Sequence, residues 1–192
     1  MHEILFNFIS KYITITEEEK KAIISLGVFK SEKKGSILLK EGQFSNESFF
    51  VLKGCLRSYY IIKGEEKTTS FHTEMTAINA LNQTSEKNIA CVENSIVLVS
   101  NPELEIKMFE KFPKFESLCR ILSEEVLNKQ QIDFDLFKIL SPEERYLNIL
   151  KTKPDLIQRV PQHQLASFIG VKPQSLSRIR SRITAKEKTS IR

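Results

Sequence analysis

The spacing of apolar residues changes character along this chain, and each change predicts a different element. Residues 2–12 (HEILFNFISKY) predict a short helix. Thr16-Glu17-Glu18-Glu19 has the capping-box pattern, with a hydroxyl at the helix start and a carboxylate three residues on. It predicts a second helix to about Leu26, with Gly27 as its stop. From Val28 to about Ser100 the pattern turns to short β-branched and aromatic runs: SILLK, SFFVLKG, CLRSYYIIK, KTTSFHT and SIVLVS. Gly35, Gly42, Gly54, Gly64-Glu65 and Glu93-Asn94 separate them. Strands at this even spacing predict a small antiparallel barrel or jelly roll.

Helical spacing then returns. Asn101-Pro102 opens a helix, with proline at the first helical position, that ends near Phe112-Pro113. Leu118, Leu122, Val126, Ile132, Leu136 and Leu140 follow, mostly four apart, and predict one apolar stripe on a helix of about 25 residues. Such a helix needs a partner for its stripe. A twofold-related copy is the simplest partner, and packing back on its own barrel is the alternative. Ser141-Pro142-Glu143-Glu144 breaks the stripe. Ser141 is the expected N-cap, Pro142 the first residue, and the two glutamates sit on the positive helix end. The expected units are therefore 1–113, 114–140 and 141–192.

Composition narrows the classes. Hydrophobic residues make up 41% of 192, enough for a core. No apolar run reaches the ~18–20 residues of a membrane span, and Met1-His2-Glu3 lacks the basic start of a signal peptide. No membrane association is expected, and the expected compartment is the cytoplasm. Cys55, Cys91 and Cys119 form no CxxC pair and read as buried small residues. His2, His72 and His163 show no ligand spacing, so no metal is predicted. Nothing supplies paired carboxylates or a nucleophile–base pair, so an enzyme is not expected.

Charge is unevenly placed. Residues 1–140 hold 18 Lys and Arg against 20 Asp and Glu; residues 141–192 hold 11 against 4, a net of +7. A compact basic unit on a near-neutral body points to a polyanion. Within that unit, residues 162–183 (QHQLASFIGVKPQSLSRIRSRI) fit a helix-turn-helix. Ala166 is small where the two helices must cross. Gly170 suits the tight turn, and Pro173 suits the first turn of the second helix. At about 100° per residue, Leu176, Ile179 and Ile183 point inward. Gln174, Ser177, Arg178 and Ser181 point the other way, and these residue types read base edges. Lys172, Arg180 and Arg182 flank that face, where phosphates would lie. An ordinary amphipathic helix pair would also have a polar exterior, but this one carries no acid from Pro173 to Ile183.

Two stretches carry a family resemblance. ILLKEGQFSNESFFVLKGCLRSYY (37–60) is similar to the early β-roll of the cyclic-AMP receptor protein and fumarate–nitrate regulator (CRP/FNR) family, with its EG turn and VLKG. Residues 141–183 are similar to the C-terminal domain of that family's short members. The resemblance implies an α+β chain: a double-stranded β-helix (jelly roll) with flanking helices, a long dimerisation helix and a C-terminal helix-turn-helix. It implies a homodimeric transcription regulator that binds double-stranded DNA, with RNA polymerase as a further partner. Carried over, the base-reading face is Gln174, Ser175, Ser177 and Arg178. Only Thr184–Arg192 remain after it, too few for the β-hairpin wing of many relatives.

The effector site is less legible. Nucleotide-binding members use a Gly-Glu opening a short helix, then an arginine, to hold a cyclic phosphate. The matching segment, residues 71–94, has no glycine and no arginine; Glu74 and Lys87 are its nearest chemical substitutes. No cofactor is therefore predicted, and cyclic-nucleotide binding is disfavoured. Glu41-Gly42 reads as a turn, and Arg57 as a strand residue facing solvent. Scattered cysteines and a lone His72 argue against a redox cluster or haem. A cyclic-nucleotide sensor that signals to a protein partner is the competing reading.

Overall fold

The computed structural model describes residues 2–25, 28–79 and 83–190, the last four as backbone alone. Contacts divide the chain into two units: Met1–Ser58 with Phe71–Gln130, and Tyr59–Ser70 with Gln131–Arg192.

The first unit is built on a β-roll. After α1 (His2–Ile9) and α2 (Glu17–Ser25) come β1 (Phe29–Glu32), β2 (Ile37–Leu39), β3 (Phe44–Ser45), β4 (Ser48–Lys53), β5 (Leu56–Ile62), β6 (Glu65–His72), β7 (Ala77–Ile78), β8 (Gln83–Thr84), β9 (Asn88–Cys91) and β10 (Ser95–Ser100). One sheet has the order β1-β10-β4-β7 and the other β2-β9-β5-β6, with β3-β8 as a separate pair. In the first sheet Leu98 sits between Phe29 and Phe50, antiparallel to both. Val97, Val99, Phe49 and Val51 point from that sheet into a core shared with Leu39, Leu56, Ile89 and Cys91 of the second. Its other face is apolar too. Phe50, Leu52, Ile96 and Leu98 pack with Leu5, Phe6 and Ile9 of α1, Ile23 of α2, and Phe115 and Leu118. Coverage on both faces explains why SFFVLK and SIVLVS read as nearly continuous apolar runs rather than alternating ones.

The helices that close this unit are capped as the sequence suggests. The Glu19 amide donates to Thr16 Oγ1 at 3.3 Å and the Thr16 amide to Glu19 Oε2 at 2.7 Å. The expected stop at Gly27 lies outside the described residues. Asn101 caps α3 (Pro102–Lys111), accepting from the Leu104 amide at 2.9 Å. Then α4 runs from Lys114 to Ile139.

Four expectations need correction. The α4 stripe does not share one environment: Leu118 is buried with Phe115, and Leu122 lies beside them, in the first unit's own core, whereas Ile132 is 58% exposed, and Leu127, Phe134 and Ile139, off the stripe, are exposed as well. Arg57 does not face solvent. It is 5% exposed, because β5 lies inside its sheet and Leu56 to Tyr59 are all buried. The β5–β6 turn is Lys63-Gly64 rather than Gly64-Glu65; both residues have positive φ (53° and 78°), the geometry of a two-residue hairpin. Cys55 and Cys91 are buried, but Cys119 is exposed.

The second unit contains the tip of the β5–β6 hairpin, the last third of α4, and α5 (Pro142–Thr152), α6 (Pro154–Arg159), α7 (Gln162–Phe168) and α8 (Pro173–Ser190). The sequence did not suggest α6, which Pro154 starts at its first position directly after α5. Residues 184–190 continue α8 as helix. No helix among the described residues is long and apolar enough to cross a membrane.

Candidate nucleic-acid interface

The helix pair α7–α8 is organised by its turn. Ala166 is fully buried, as are Leu165, Ile169 and Leu176 to within 1%. The Val171 amide donates back to the Ala166 carbonyl at 2.9 Å, closing the turn through Gly170 at φ +81°. That left-handed angle favours glycine. From Pro173 the α8 wheel is as predicted from its period: Leu176, Ile179 and Ile183 are buried and complete the inner side.

The outer side of α8 brings the candidate residues together. Gln174, Ser175, Ser177, Arg178 and Ser181 are exposed, and so are Lys172, Arg180 and Arg182. Ser181 Oγ donates to the Ser177 carbonyl at 3.1 Å, so its hydroxyl lies back along the helix. A groove runs beside this face, with Ser141, Pro142 and Glu143 on one wall and Ser177, Arg178, Ser181 and Arg182 on the other.

Electrostatically the basic residues are not equivalent. Arg182 Nη2 lies 2.9 Å from Glu143 Oε2, and Lys186 Nζ lies 3.2 Å from the other oxygen of that carboxylate. Arg178 makes no ion pair among the described residues. Lys172 stands close enough to Glu65 on the hairpin tip to help hold that carboxyl below its usual value, after the larger effects of the hydrogen bond and charge of Lys67.

Three residues that the sequence reading gave no such role organise this surface. Glu143 pairs with two of its cations. Ser167 on α7 accepts the Thr68 amide at 2.9 Å and donates to the Glu66 carbonyl at 3.2 Å, fastening the hairpin tip to the first helix of the pair. Arg145 on α5 donates to the Ile169 carbonyl in the turn. Only Glu143 left a sequence signal, as an acid in a helix first turn within a basic unit.

Elsewhere the chemistry is sparse. No group of three His, Cys, Asp or Glu among the described residues could hold a metal ion. Burial pushes the Cys91 thiol up to about 11, so it stays protonated at neutral pH. Glu74 Oε1 accepts the Gly54 amide at 2.8 Å and thus serves a turn. Lys87 is held below the usual lysine range by burial.

No family model and no curated protein matches the sequence. Solved structures do. FixK2 from Bradyrhizobium japonicum superposes with a TM-score of 0.70 at 13% identity, over 83% of this chain and 85% of FixK2. A CooA double mutant from Carboxydothermus hydrogenoformans gives 0.67 at 15% identity, over 82% of this chain and 76% of that one. A protein from Eubacterium rectale, described as a transcriptional regulator of the crp/fnr family, gives 0.66 at 15%, over 90% and 85%. The chain therefore has the CRP/FNR fold, a β-roll and long helix followed by a helix-turn-helix. At these identities the likeness is one of fold.

Proposed function

We propose that this chain is a homodimeric, DNA-binding transcription regulator of the CRP/FNR type, whose β-roll is a sensor of unknown or lost ligand. One observation carries the reading above others: in a basic unit, the outward face of α8 from Pro173 to Ile183 is exposed, rich in hydrogen-bonding side chains and free of acids. An α-helix fits the major groove of B-DNA. Seated there, Gln174, Ser175, Ser177 and Arg178 meet base edges, with Gln suited to adenine and Arg to guanine. Lys172, Arg180 and Arg182 meet phosphates on either side and release counterions. The exposed apolar residues on the later half of α4 supply the surface for a second copy. A twofold dimer then reads half-sites about one helical turn apart.

Selection of binding sites from a random DNA pool tests this. The expected product is an inverted repeat. Recovery of no enriched sequence, with binding that vanishes at modest salt, would overturn it.

A further inference from the structure

Two backbone carbonyls in the second unit lose their normal helical donors, each for a reason visible in the sequence. The donor for the Phe137 carbonyl near the end of α4 would be the Ser141 amide four residues on. That amide instead donates to Glu144 Oε2 at 2.8 Å, in the reciprocal capping box that starts α5. The donor for the Ile169 carbonyl at the end of α7 would be residue 173, which is proline and has no N–H. Both carbonyls sit at helix C-termini, where the dipole is negative and a cation is favoured.

One side chain serves both. Arg145 Nη1 donates to the Ile169 carbonyl at 2.9 Å and Nη2 to the Phe137 carbonyl at 2.5 Å. Its guanidinium carbon stands 3.8 Å from the centroid of the Phe137 ring. Nε is buried and has no hydrogen-bond partner among the described residues, so the two terminal nitrogens make the contacts. A Cβ on Gly170 would come within 3.3 Å of Nη1 and 3.4 Å of the Phe137 ring, so the turn fits closely around the arginine.

We infer that Arg145 is a positioning residue for DNA recognition: by clasping the end of α4 to the α7–α8 turn, it fixes where the recognition helix begins without touching DNA itself. The inference rests on the DNA-binding reading above. Ile169 lies only four residues before α8, and a base-reading helix must be held within about 0.5 Å of its working geometry. The clasp also joins the part of α4 that exposes Ile132 and Ile139 to the turn that precedes the base-reading face. Lysine is a poor substitute, because a single ammonium lacks the planar fork that spans two fixed carbonyls.

The test compares wild type with Arg145→Lys and Arg145→Ala, using full-length protein. Circular dichroism first establishes that each variant retains its helix content; Arg145→Lys keeps the charge and is the milder change. Amide hydrogen exchange at Gly170 and Val171 should then quicken in both variants, whether or not DNA is present. Unchanged exchange in either variant overturns the clasp. On the selected DNA site, affinity should fall roughly ten-fold in both, the scale of one charge-assisted hydrogen bond. Non-specific affinity and the salt slope should stay as in wild type, since no phosphate contact is lost. A slope reduced by one ion would make Arg145 a phosphate ligand and refute the positioning role. Retained specific affinity in Arg145→Lys would show that charge alone suffices. If wild type selects no DNA sequence, the functional reading fails separately, and the exchange experiment still decides the clasp.

Discussion

In α8, buried and exposed residues segregate cleanly: Leu176, Ile179 and Ile183 face inward, while Gln174, Ser177, Arg178 and Ser181 lie in solvent. In β5, Leu56, Arg57, Ser58 and Tyr59 are all buried, hydrophobic and polar alike. A surface helix separates its structural and chemical faces in angle, so each side chain's task follows from its position. A strand inside a sheet with both faces covered has no free face. Its polar residues must be satisfied by neighbours distant in sequence, and their roles depend on those neighbours. The helix pair therefore supports sharp mutational contrasts, and the β-roll supports fewer.

The largest expected effect sharpens that contrast on α8 itself. Leu176→Ala removes a fully buried side chain at the crossing with α7 and should cost about 2–5 kcal/mol of stability. Arg178→Ala, two residues on, should change stability by no more than about 0.5 kcal/mol. Urea denaturation of both variants measures this. Equal losses would mean that α8 has no distinct outer face.

A second contrast lies within α4. Leu122 packs in the first unit's own core, so replacing it would test folding rather than association. Leu127 and Ile132 are 66% and 58% exposed. Leu127→Glu combined with Ile132→Glu should leave the helix content by circular dichroism nearly unchanged and give monomers by light scattering. A dimer that survives both changes would place the seam elsewhere.

Next in size is the difference between a base reader and a phosphate ligand. A bidentate arginine–guanine contact contributes about 1–3 kcal/mol of discrimination. Arg178→Ala should therefore weaken the selected site roughly ten- to a hundred-fold and relax one base pair per half-site. Arg182→Ala should weaken all DNA alike and flatten the salt slope by about one ion per subunit. An unchanged selected motif in Arg178→Ala would show that α8 is oriented differently in the groove. Smaller still is Glu143→Gln. Glu143 holds Arg182 and Lys186, and DNA phosphates must compete with it for them. Exposed ion pairs are weak, so neutralising it should tighten binding only about two- to three-fold and steepen the salt slope. Weaker binding in that variant would mean the carboxylate helps to place the two cations.

The helix pair was legible because Ala166, Gly170 and Pro173 each have a local steric reason to stand where they do. The jelly-roll fold was legible from strand spacing. Other features were hidden for physical reasons. The six residues of α6 are too few to show a period. The partners of Ser167 lie about a hundred positions away, on the hairpin tip. Pro173 and the Ser141–Glu144 capping box mark which two carbonyls lack donors, but nothing in residue spacing says that Arg145 reaches both. For α4, periodicity showed an apolar stripe, but nothing in the period says which body covers it. Arg57 was misplaced because alternation cannot distinguish an outward strand residue from one buried on a covered face.

The smallest expected effect is none at all, and it concerns the β-roll. Holding a cyclic phosphate needs backbone amides that approach it closely, a helix end and a cation. Residues 71–94 contain no glycine and no arginine. Their described part forms the end of β6 and strands β7, β8 and β9, with no helix among the described residues. Glu74 already serves the Gly54 turn, and Arg57, though buried in β5, is already engaged within the protein. Titration calorimetry with cyclic AMP at physiological concentration should show no binding heat. A micromolar Kd would overturn the expectation, and Arg57→Gln would then be the decisive variant. Loss of binding there would show that a buried strand arginine can take the place of the one missing from 71–94, and so that a sensor site can be assembled from residues whose spacing carries no motif.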